Sequence, residues 1–400
     1  MRTGLQRTTP EEARLSPEGL AKIDQALQRE VDRGELAGVN LLVARHGKVG
    51  HWATLGLKNL QTCEPLTWDT IFRIFSMTKP VTAAAMMILH DEGRWSPDDP
   101  IARHLPEFAE VKGPDGKPPA HPPTLRQLMT HTAGFGYGIG PGPHDAVDEG
   151  YIAAGVWKAE GLDAFVQRVA TLPLAYPPGE AWRYSLAMDL QGAIIERLSG
   201  MSLPAFMRER LFAPLGMVDT DFFVPAEKRS RLATLYHMYN VDRLTELTHP
   251  SFARDPALIP AIPSGGGGLY STIDDYSRFA QMLLCRGELE GVRVLSEGAV
   301  RLMTSNHLSQ EMMEHRYGVG AQQIRPGFGY GFNGAVFVDP VLASSRVGRG
   351  TYQWDGAAGT WFWVDWENDL IFVGLIQRML QDTMTPLQAT TQDLLADALV

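Results

Sequence analysis

The stretch FRIFSMTKP, residues 72–80, decides how the whole chain is interpreted. It holds Ser76 and Lys79 in the spacing Ser-x-x-Lys and runs directly into the apolar segment 81–90. At the start of a helix, this spacing puts the hydroxyl and the ammonium group on one face, one turn apart. The helix N-terminus favours negative charge beside the serine, and a desolvated lysine loses its proton and acts as a base toward the hydroxyl. The stretch therefore predicts a serine nucleophile with a lysine base.

Composition limits the classes of protein that remain. The chain has 400 residues, of which 44% are hydrophobic and 20% charged, so its length and core material suit about two globular domains. A net charge of -10 without a basic block argues against a nucleic-acid partner. The cysteines, Cys63 and Cys285, are too few for a disulfide scaffold or a cysteine metal cage. We expect both to be buried as small hydrophobic residues.

Other common chemistries lack their sequence signatures. The chain has no Gly-x-Ser-x-Gly, no His-Glu-x-x-His and no histidines with metal-ligand spacing, so we expect no metal site. Glycine-rich segments at 134–142, 265–268 and 327–331 do not spell a nucleotide-binding loop, and we interpret them as turns and close backbone approaches near a pocket. No apolar run approaches the ~18 residues of a membrane helix, and residues 1–10 lack the apolar core of a secretory signal. We therefore expect a cytoplasmic protein with no membrane partner.

Hydrophobic periodicity predicts helices at both ends of the chain, strands next to each of them, and a mostly helical middle. The predicted helices cover residues 17–34, 77–92, 161–170, 187–199, 203–212, 273–284 and 386–399. The predicted strands cover residues 38–44, 49–55, 317–323, 329–337, 350–354, 360–365 and 370–377.

This order of elements predicts an α/β (α+β) fold in which one antiparallel sheet, built from both ends of the chain, is flanked by the terminal helices. We expect residues 1–75 and 285–400 to form the sheet domain. Residues 76–284 form the mostly helical domain, and the active site is expected in the cleft between the two domains.

Four further motifs follow Ser-x-x-Lys along the chain: LRQLMTHTAG at 125–134, PPGEAWRYSL at 177–186, GAIIERLSG at 192–200 and LFAPLGM at 211–217. The ordered set resembles the serine β-lactamase and penicillin-binding-protein superfamily, in particular its class C-like branch. Within that branch it resembles the family VIII carboxylesterases. The resemblance covers roughly residues 17–399, and it implies the serine β-lactamase-like fold and an acyl-enzyme reaction that needs no metal or organic cofactor.

The resemblance also implies roles for individual residues. Ser76 matches the nucleophile of the family and Lys79 its base. Tyr184 matches the tyrosine of the Tyr-x-Asn motif, and a phenol near ammonium groups is expected to deprotonate more easily and to pass a proton to or from the reacting oxygens. The backbone N–H groups of Ser76 and Ala357 are the implied oxyanion hole.

The sequence departs from the β-lactamase pattern in two places. Leu186 stands where β-lactamases carry the asparagine of Tyr-x-Asn, and Trp354-Asp355-Gly356 stands where they carry Lys-Thr-Gly. The Trp-x-Gly form resembles the family VIII esterases. Both departures argue against efficient hydrolysis of β-lactams.

The expected substrate-binding residues are mostly aromatic, and each has an ordinary structural role as the alternative. Trp354 would otherwise pack in the sheet, Tyr184 would be a core tyrosine with a satisfied hydroxyl, and His131 is expected to be structural rather than a base. Asp355 is expected to be a solvated or turn carboxylate. Trp182 and Phe328 suit an acyl pocket and the core equally well. The residues assigned to substrate binding are Phe135, Tyr137, Leu186, Trp354 and Gly356.

The sequence as a whole predicts a serine carboxylesterase that hydrolyses neutral short-chain esters, with a small-molecule ester as its partner. One alternative is a β-lactamase or D-Ala-D-Ala peptidase of the same fold, which the Tyr-x-Asn and Lys-Thr-Gly motifs would have favoured. A second alternative is a non-catalytic penicillin-binding-like module, against which the joint presence of Ser76, Lys79 and Tyr184 argues. The sequence leaves the natural ester and the oligomeric state open.

Overall fold

Both ends of the chain contribute strands to one large sheet. The computed structural model describes residues 4–139, 144–239, 241–249, 252–315, 324–379 and 387–400. Its strands are β1 (Gly38–Arg45), β2 (Lys48–Asn59), β3 (Glu64–Pro65), β4 (Phe72–Arg73), β5 (Tyr236–His237), β6 (Thr245–Glu246), β7 (Tyr270–Ser271), β8 (Glu288–Leu289), β9 (Val292–Arg293), β10 (Phe328–Tyr330), β11 (Ala335–Phe337), β12 (Tyr352–Asp355), β13 (Trp361–Asp365) and β14 (Leu370–Leu375). The order β10-β11-β12-β13-β14-β1-β2-β3 defines the sheet, and its neighbouring strands are antiparallel. The predicted antiparallel sheet from both chain ends is therefore confirmed.

Helices lie at both chain ends and fill most of the connection between β4 and β10. They are α1 (Pro17–Asp32), α2 (Thr78–Asp91), α3 (Leu125–Met129), α4 (Ala146–Ala153), α5 (Leu162–Ala170), α6 (Ala187–Ser199), α7 (Leu203–Met207), α8 (Ala213–Leu215), α9 (Ile273–Leu284), α10 (Glu297–Thr304), α11 (Gln310–His315) and α12 (Leu387–Ala398). A π-helical turn, Arg208–Phe212, joins α7 to α8. The 3-10 turns are Phe75–Met77, Ile101–Arg103, Pro106–Phe108, Val156–Lys158 and Ala226–Arg231. Within the described ranges, no helix is long and apolar enough to cross a membrane.

Helices cover both faces of the sheet, and this explains why its central strands are apolar on both faces. On one face, Leu41 and Phe372 pack in a cluster that includes residues of α1 and α12. On the other face, Leu42 and Val373 belong to the main core, and α9 packs directly on β13 and β14. Because side chains alternate along a strand, each central strand contributes to both layers.

Two predicted helices have the expected bounds, other predicted elements differ at their ends, and one predicted strand is a hairpin. Helices 187–199 and 273–284 are found as predicted. The predicted strand 329–337 is instead the hairpin of β10 and β11, because the Gly331 N–H donates to the Gly334 C=O (2.8 Å) and Asn333 turns with a φ of +60°. The predicted strand 317–323 and residue 386 of the last predicted helix lie outside the described residues. The division into two domains stays a prediction.

The expectation of buried cysteines is wrong, since Cys63 and Cys285 are both exposed. Cys63 lies in the turn between β2 and β3 with a φ of +54°, and Cys285 is the C-cap of α9. Both positions are at the ends of secondary-structure elements, where composition alone does not indicate burial.

Gly374→Ala tests how closely β14 packs against its neighbour. A Cβ at Gly374 would lie 2.4 Å from a ring atom of Trp361, which is buried on the neighbouring strand β13. We expect overpacking to lower the free energy of unfolding by about 1–3 kcal/mol in urea denaturation. Gly298→Ala, at an exposed position of α10, is the control because the nearest atom is 3.7 Å away, and its stability should match or slightly exceed that of the wild type. Wild-type stability of Gly374→Ala would contradict the close packing.

Candidate active site

Ser76 lies in the 3-10 turn that leads directly into α2. The preceding residue, Phe75, has a φ of +42°, which residues other than glycine rarely adopt. Such a conformation costs about 1–3 kcal/mol and persists only where the surroundings impose it. The Ile74 N–H donates to the Leu269 C=O (3.1 Å) and so fixes the chain just before the turn. The hydroxyl of Ser76 is therefore presented at the N-terminal end of α2 by a constrained backbone.

Lys79 is fully buried and contacts Ser76 directly. Its Nζ lies 3.1 Å from Oγ of Ser76 and donates to the C=O of Gly266 at 2.7 Å. Burial lowers the pKa of Lys79 to about 7, although the carboxylates of Asp189 and Asp355 act in the opposite direction. A substantial fraction of the lysine is thus neutral near pH 7 and available as a proton acceptor.

The hydroxyl of Tyr184 reaches Ser76 from the other side. Its Oη donates to Oγ of Ser76 at 2.7 Å, and Nζ of Lys79 lies 4.4 Å from the centre of the tyrosine ring. We expected the phenol to deprotonate easily, but burial raises the pKa of Tyr184 well above its ordinary value. The arrangement therefore favours a protonated Tyr184 that donates, with Lys79 as the group that accepts.

Asp189 is a residue of this site that the sequence analysis missed. It lies on α6 and is fully buried, and its Oδ1 accepts hydrogen bonds from Oγ of Ser264 (2.6 Å) and the N–H of Gly266 (3.2 Å). It thus holds the turn whose Gly266 carbonyl binds Lys79, and its negative charge raises the pKa of Lys79. The signal available in the sequence was a carboxylate in the first turn of a predicted helix, five residues after Tyr184.

The end of β12 reaches the nucleophile turn through Gly356. A Cβ at this position would lie 2.3 Å from the C=O of Ile74, so only glycine allows this approach. The next residue, Ala357, shares an apolar cluster with Phe75, the neighbour of Ser76. In the described part of the chain, nothing accepts a hydrogen bond from the Ala357 N–H. The implied oxyanion-hole residues are therefore brought to one place.

Aromatic rings pack around the ring of Tyr184. Trp354 stacks on its ring at 5.9 Å, and Tyr137 meets it edge-on at 5.5 Å. Tyr330 meets Trp354 edge-on at 5.3 Å. Tyr137 and Trp354 are only partly buried, so both have exposed surface beside Tyr184, and their role in substrate binding stays a prediction.

Two of the residues assigned to substrate binding lie in the hydrophobic core instead of the pocket. Leu186 is completely enclosed, and Phe135 is 2% exposed and packs edge-on against Phe108 at 5.5 Å. Both belong to the main core, so neither presents surface to a substrate in this structure. The expectation that they line the pocket fails because the segments that carry them turn their apolar side chains inward.

A cavity of about 390 Å³ opens beside Trp354. Its wall includes Asp355, whose pKa is raised by burial, and Arg325, which sequence reasoning did not select. Among the described residues, no group of His, Cys, Asp or Glu side chains is arranged to hold a metal ion. The lining residues are Trp182, Ile324, Arg325, Phe328, Gly329, Tyr330, Ala335, Gln353, Trp354 and Asp355.

Comparison with known proteins identifies the family. The Beta-lactamase family matches residues 23–396. Protein Rv1367c of Mycobacterium tuberculosis is 40% identical over 88% of this chain and 89% of its own length. Esterase EstB of Burkholderia gladioli is 34% identical over 86% of each chain. Among solved structures, EstCE1, a hydrolase with promiscuous acyltransferase activity, is 27% identical, with a TM-score of 0.81 over 95% of this chain and 99% of its own.

The chain belongs to the Beta-lactamase family, and it is an enzyme of that hydrolase fold. The match to EstB and the similarity to EstCE1 confirm the resemblance to family VIII esterases. The serine β-lactamase-like fold predicted from the sequence is confirmed as well.

Substitutions of the three central side chains test the proposed chemistry. Ser76→Ala should abolish ester hydrolysis with nearly unchanged thermal unfolding, because it deletes only the nucleophilic oxygen. Lys79→Ala and Tyr184→Phe should each lower kcat by roughly 10²-fold or more, as expected when a general acid or base is removed. Steady-state kinetics with p-nitrophenyl butyrate measure these effects. Residual turnover of Ser76→Ala within tenfold of wild type would reveal another nucleophile, and full activity of Tyr184→Phe would show that lysine alone transfers the protons.

The pH profile tests the state of Lys79. A base must be neutral to accept a proton, so kcat/KM should rise with pH through an apparent pKa of about 7, that of Lys79. Asp189→Asn removes a negative charge that raises the pKa of Lys79, so the acidic limb should move to lower pH. Asp163→Asn, whose carboxylate is largely exposed, is the control and should leave the profile unchanged. A limb that stays in place or moves upward in Asp189→Asn would contradict the electrostatic role of Asp189.

Proposed function

We propose that this protein is a serine carboxylesterase that hydrolyses neutral short-chain carboxylic esters through an acyl-enzyme. The observation that carries the proposal is the environment of Oγ of Ser76. It lies 3.1 Å from a buried lysine amine and 2.7 Å from a tyrosine hydroxyl. A nucleophile needs an adjacent base, and its leaving group needs an adjacent proton donor.

The first half-reaction forms the acyl-enzyme. Neutral Lys79 accepts the proton of Ser76 as Oγ attacks the ester carbonyl carbon. The N–H groups of Ser76 and Ala357 hold the oxygen that becomes negative. The C–O bond to the alcohol then breaks, and the departing alkoxide takes the proton of Tyr184, which recovers a proton from the ammonium of Lys79. Water repeats the sequence in the second half-reaction and releases the acid.

The choice of neutral esters rests on Trp354. Relatives that bind penicillins or peptide termini carry a lysine at the matching position, close to the substrate carboxylate. Trp354 offers an apolar ring in its place, and a desolvated carboxylate that has no cationic partner at this position loses several kcal/mol. The cation on the same cavity wall, Arg325, already acts on the carboxylate of Asp355. An uncharged acyl or alkyl group, by contrast, gains from contact with the indole ring.

Acyl transfer to an alcohol is the second candidate function, and the acyltransferase activity in the description of EstCE1 favours it. The same acyl-enzyme serves both outcomes, since an alcohol or water attacks the same carbonyl carbon. The aromatic rings of Tyr137 and Trp354 beside Tyr184 supply apolar surface on which an alcohol competes with water. Gas chromatography of ester products, with butanol added to a hydrolysis assay, separates the two outcomes.

Substrate selectivity gives the decisive comparison. We expect p-nitrophenyl butyrate to be hydrolysed with a burst stoichiometric with protein. A chromogenic cephalosporin should have a kcat/KM lower by at least ~10³, about 4 kcal/mol. One enzyme preparation should be assayed on both substrates, with Ser76→Ala as the blank. Comparable efficiency on the two substrates would place the protein with the β-lactamases of the family. No release of p-nitrophenol above the Ser76→Ala blank would favour a non-catalytic binding module.

The predicted cytoplasmic location belongs to the same proposal. Fractionation of cells that produce the full chain, with detection by antibody, tests it separately from activity.

A further inference from the structure

The backbone on both sides of Tyr184 is hydrogen-bonded to one residue of a distant segment, His131. The C=O of His131 accepts a hydrogen bond from the N–H of Arg183 (2.9 Å). Nδ1 of the same residue accepts one from the N–H of Ser185 (3.1 Å). His131 therefore holds the backbone on both sides of Tyr184, once with its main chain and once with its ring.

The hydrogen bond from Ser185 defines the state of the imidazole. A backbone N–H only donates, so Nδ1 of His131 must be the acceptor and the ring proton must be on Nε2. Oγ of Ser185 lies 3.0 Å from the same nitrogen. His131 is 1% exposed, and burial together with the charge of Lys79 lowers its pKa well below the ordinary value. The ring is thus a neutral acceptor, and protonating Nδ1 would break the bond to Ser185.

The other ring nitrogen is buried without a hydrogen-bond partner among the described residues. Nε2 of His131 is sealed from solvent, and no hydrogen-bond partner for it lies in the described ranges. The ring packs between aromatic neighbours, 4.8 Å from the ring of Tyr184 and 5.6 Å from those of Trp182 and Tyr330. The contacts of the ring are therefore packing against aromatic side chains and the hydrogen bonds at Nδ1.

The backbone of His131 is adapted to this double contact. Its φ is +59°, a left-handed conformation that histidine, asparagine and aspartate adopt more readily than other non-glycine residues. This conformation allows the carbonyl and the side chain of one residue to reach the same neighbouring segment. The motif at 125–134 thereby acquires a function that the sequence analysis did not assign.

We propose that His131 is a positioning residue that holds Oη of Tyr184 against Oγ of Ser76, and through it sets the rate of proton transfer to the leaving alcohol. This inference rests on the proposed function for its kinetic readout. Displacements of about 1 Å in a reacting group cost up to roughly 10²-fold in rate. The distance that we expect a change at His131 to alter is the 2.7 Å between Oη of Tyr184 and Oγ of Ser76.

His131→Asn and His131→Ala are the matched variants. The Oδ1 of asparagine stands close to where Nδ1 of histidine stands and accepts a hydrogen bond, and asparagine tolerates the positive φ. Alanine removes the acceptor and the ring. We expect His131→Ala to lower kcat on p-nitrophenyl butyrate by about tenfold or more with KM within about threefold, and His131→Asn to recover most of the loss.

A double-mutant cycle with Tyr184→Phe separates positioning from general destabilisation. If His131 acts through Tyr184, His131→Ala should lower kcat by less than about twofold when Tyr184→Phe is already present. The acidic limb of the pH profile of kcat/KM should be the same in His131→Asn as in the wild type. His104→Ala is the control, since His104 is another buried histidine, bonded to Asp99 at 3.1 Å. It should lower the thermal midpoint without changing kcat.

Two kinetic outcomes would overturn the inference. One is an equal loss in His131→Asn and His131→Ala when both are folded by circular dichroism. The other is a loss from His131→Ala that is as large in Tyr184→Phe as in the wild type. A wild type without esterase activity would refute the proposed function instead, and nitrogen-15 NMR of the histidine rings then tests His131 directly. The signal lost in His131→Asn should be a neutral Nε2–H imidazole at every pH at which the protein is folded, and a protonated or Nδ1–H ring would refute the inference.

Discussion

Burial of the Lys79 amine against Ser76 is the constraint on which the rest of the site depends. An ammonium group without solvent is costly, and this cost lowers the pKa of Lys79 to about 7. Nearby polar groups reduce this cost of burying the Lys79 ammonium group but do not cancel it. The Gly266 carbonyl accepts a hydrogen bond from the amine, and Asp189 supplies a negative charge that is itself held by Ser264 and by the turn at Gly266. The buried α2, the turn at Gly266 and α6 together create the environment in which Lys79 has a pKa of about 7.

The same low-polarity environment acts in opposite directions on the two groups that contact Ser76. Burial lowers the pKa of Lys79 and raises that of Tyr184. Pairs of titratable groups whose pKa values are driven apart by one environment mark the acid and the base of a site. Lys79 is then suited to accept the serine proton, and Tyr184 is suited to donate a proton to the leaving oxygen. The easier deprotonation of Tyr184 that was expected from the sequence is disfavoured, because the sequence does not show how completely water is excluded from the site.

Local features of this site could be predicted from the sequence, whereas contacts between distant segments could not. The Ser76–Lys79 pair depends on helical spacing alone, and the apolar patterns of the terminal strands were enough for the sheet. Asp189, by contrast, acts on Lys79 across a turn that lies more than seventy residues further along the chain, since its partner is Gly266. Leu186 and Phe135 were assigned to the pocket because they flank site motifs, but the direction of a side chain in an irregular segment depends on tertiary packing. The strain at Phe75 likewise comes from the surrounding fold, and no residue type signals it.

Trp354 links substrate choice to the proton-transfer step. Its ring stacks on Tyr184 at 5.9 Å and also forms part of the cavity wall. In relatives with Lys-Thr-Gly, a positive charge at this position attracts a substrate carboxylate, and the same charge beside the tyrosine would stabilise a phenolate. A tryptophan there removes both effects together. The tryptophan presents an apolar ring to the pocket and adds no positive charge beside Tyr184. Under the proposed function, the preference for neutral esters and the division of roles between lysine and tyrosine both follow from this one replacement, while Arg325 supplies a positive charge elsewhere on the cavity wall.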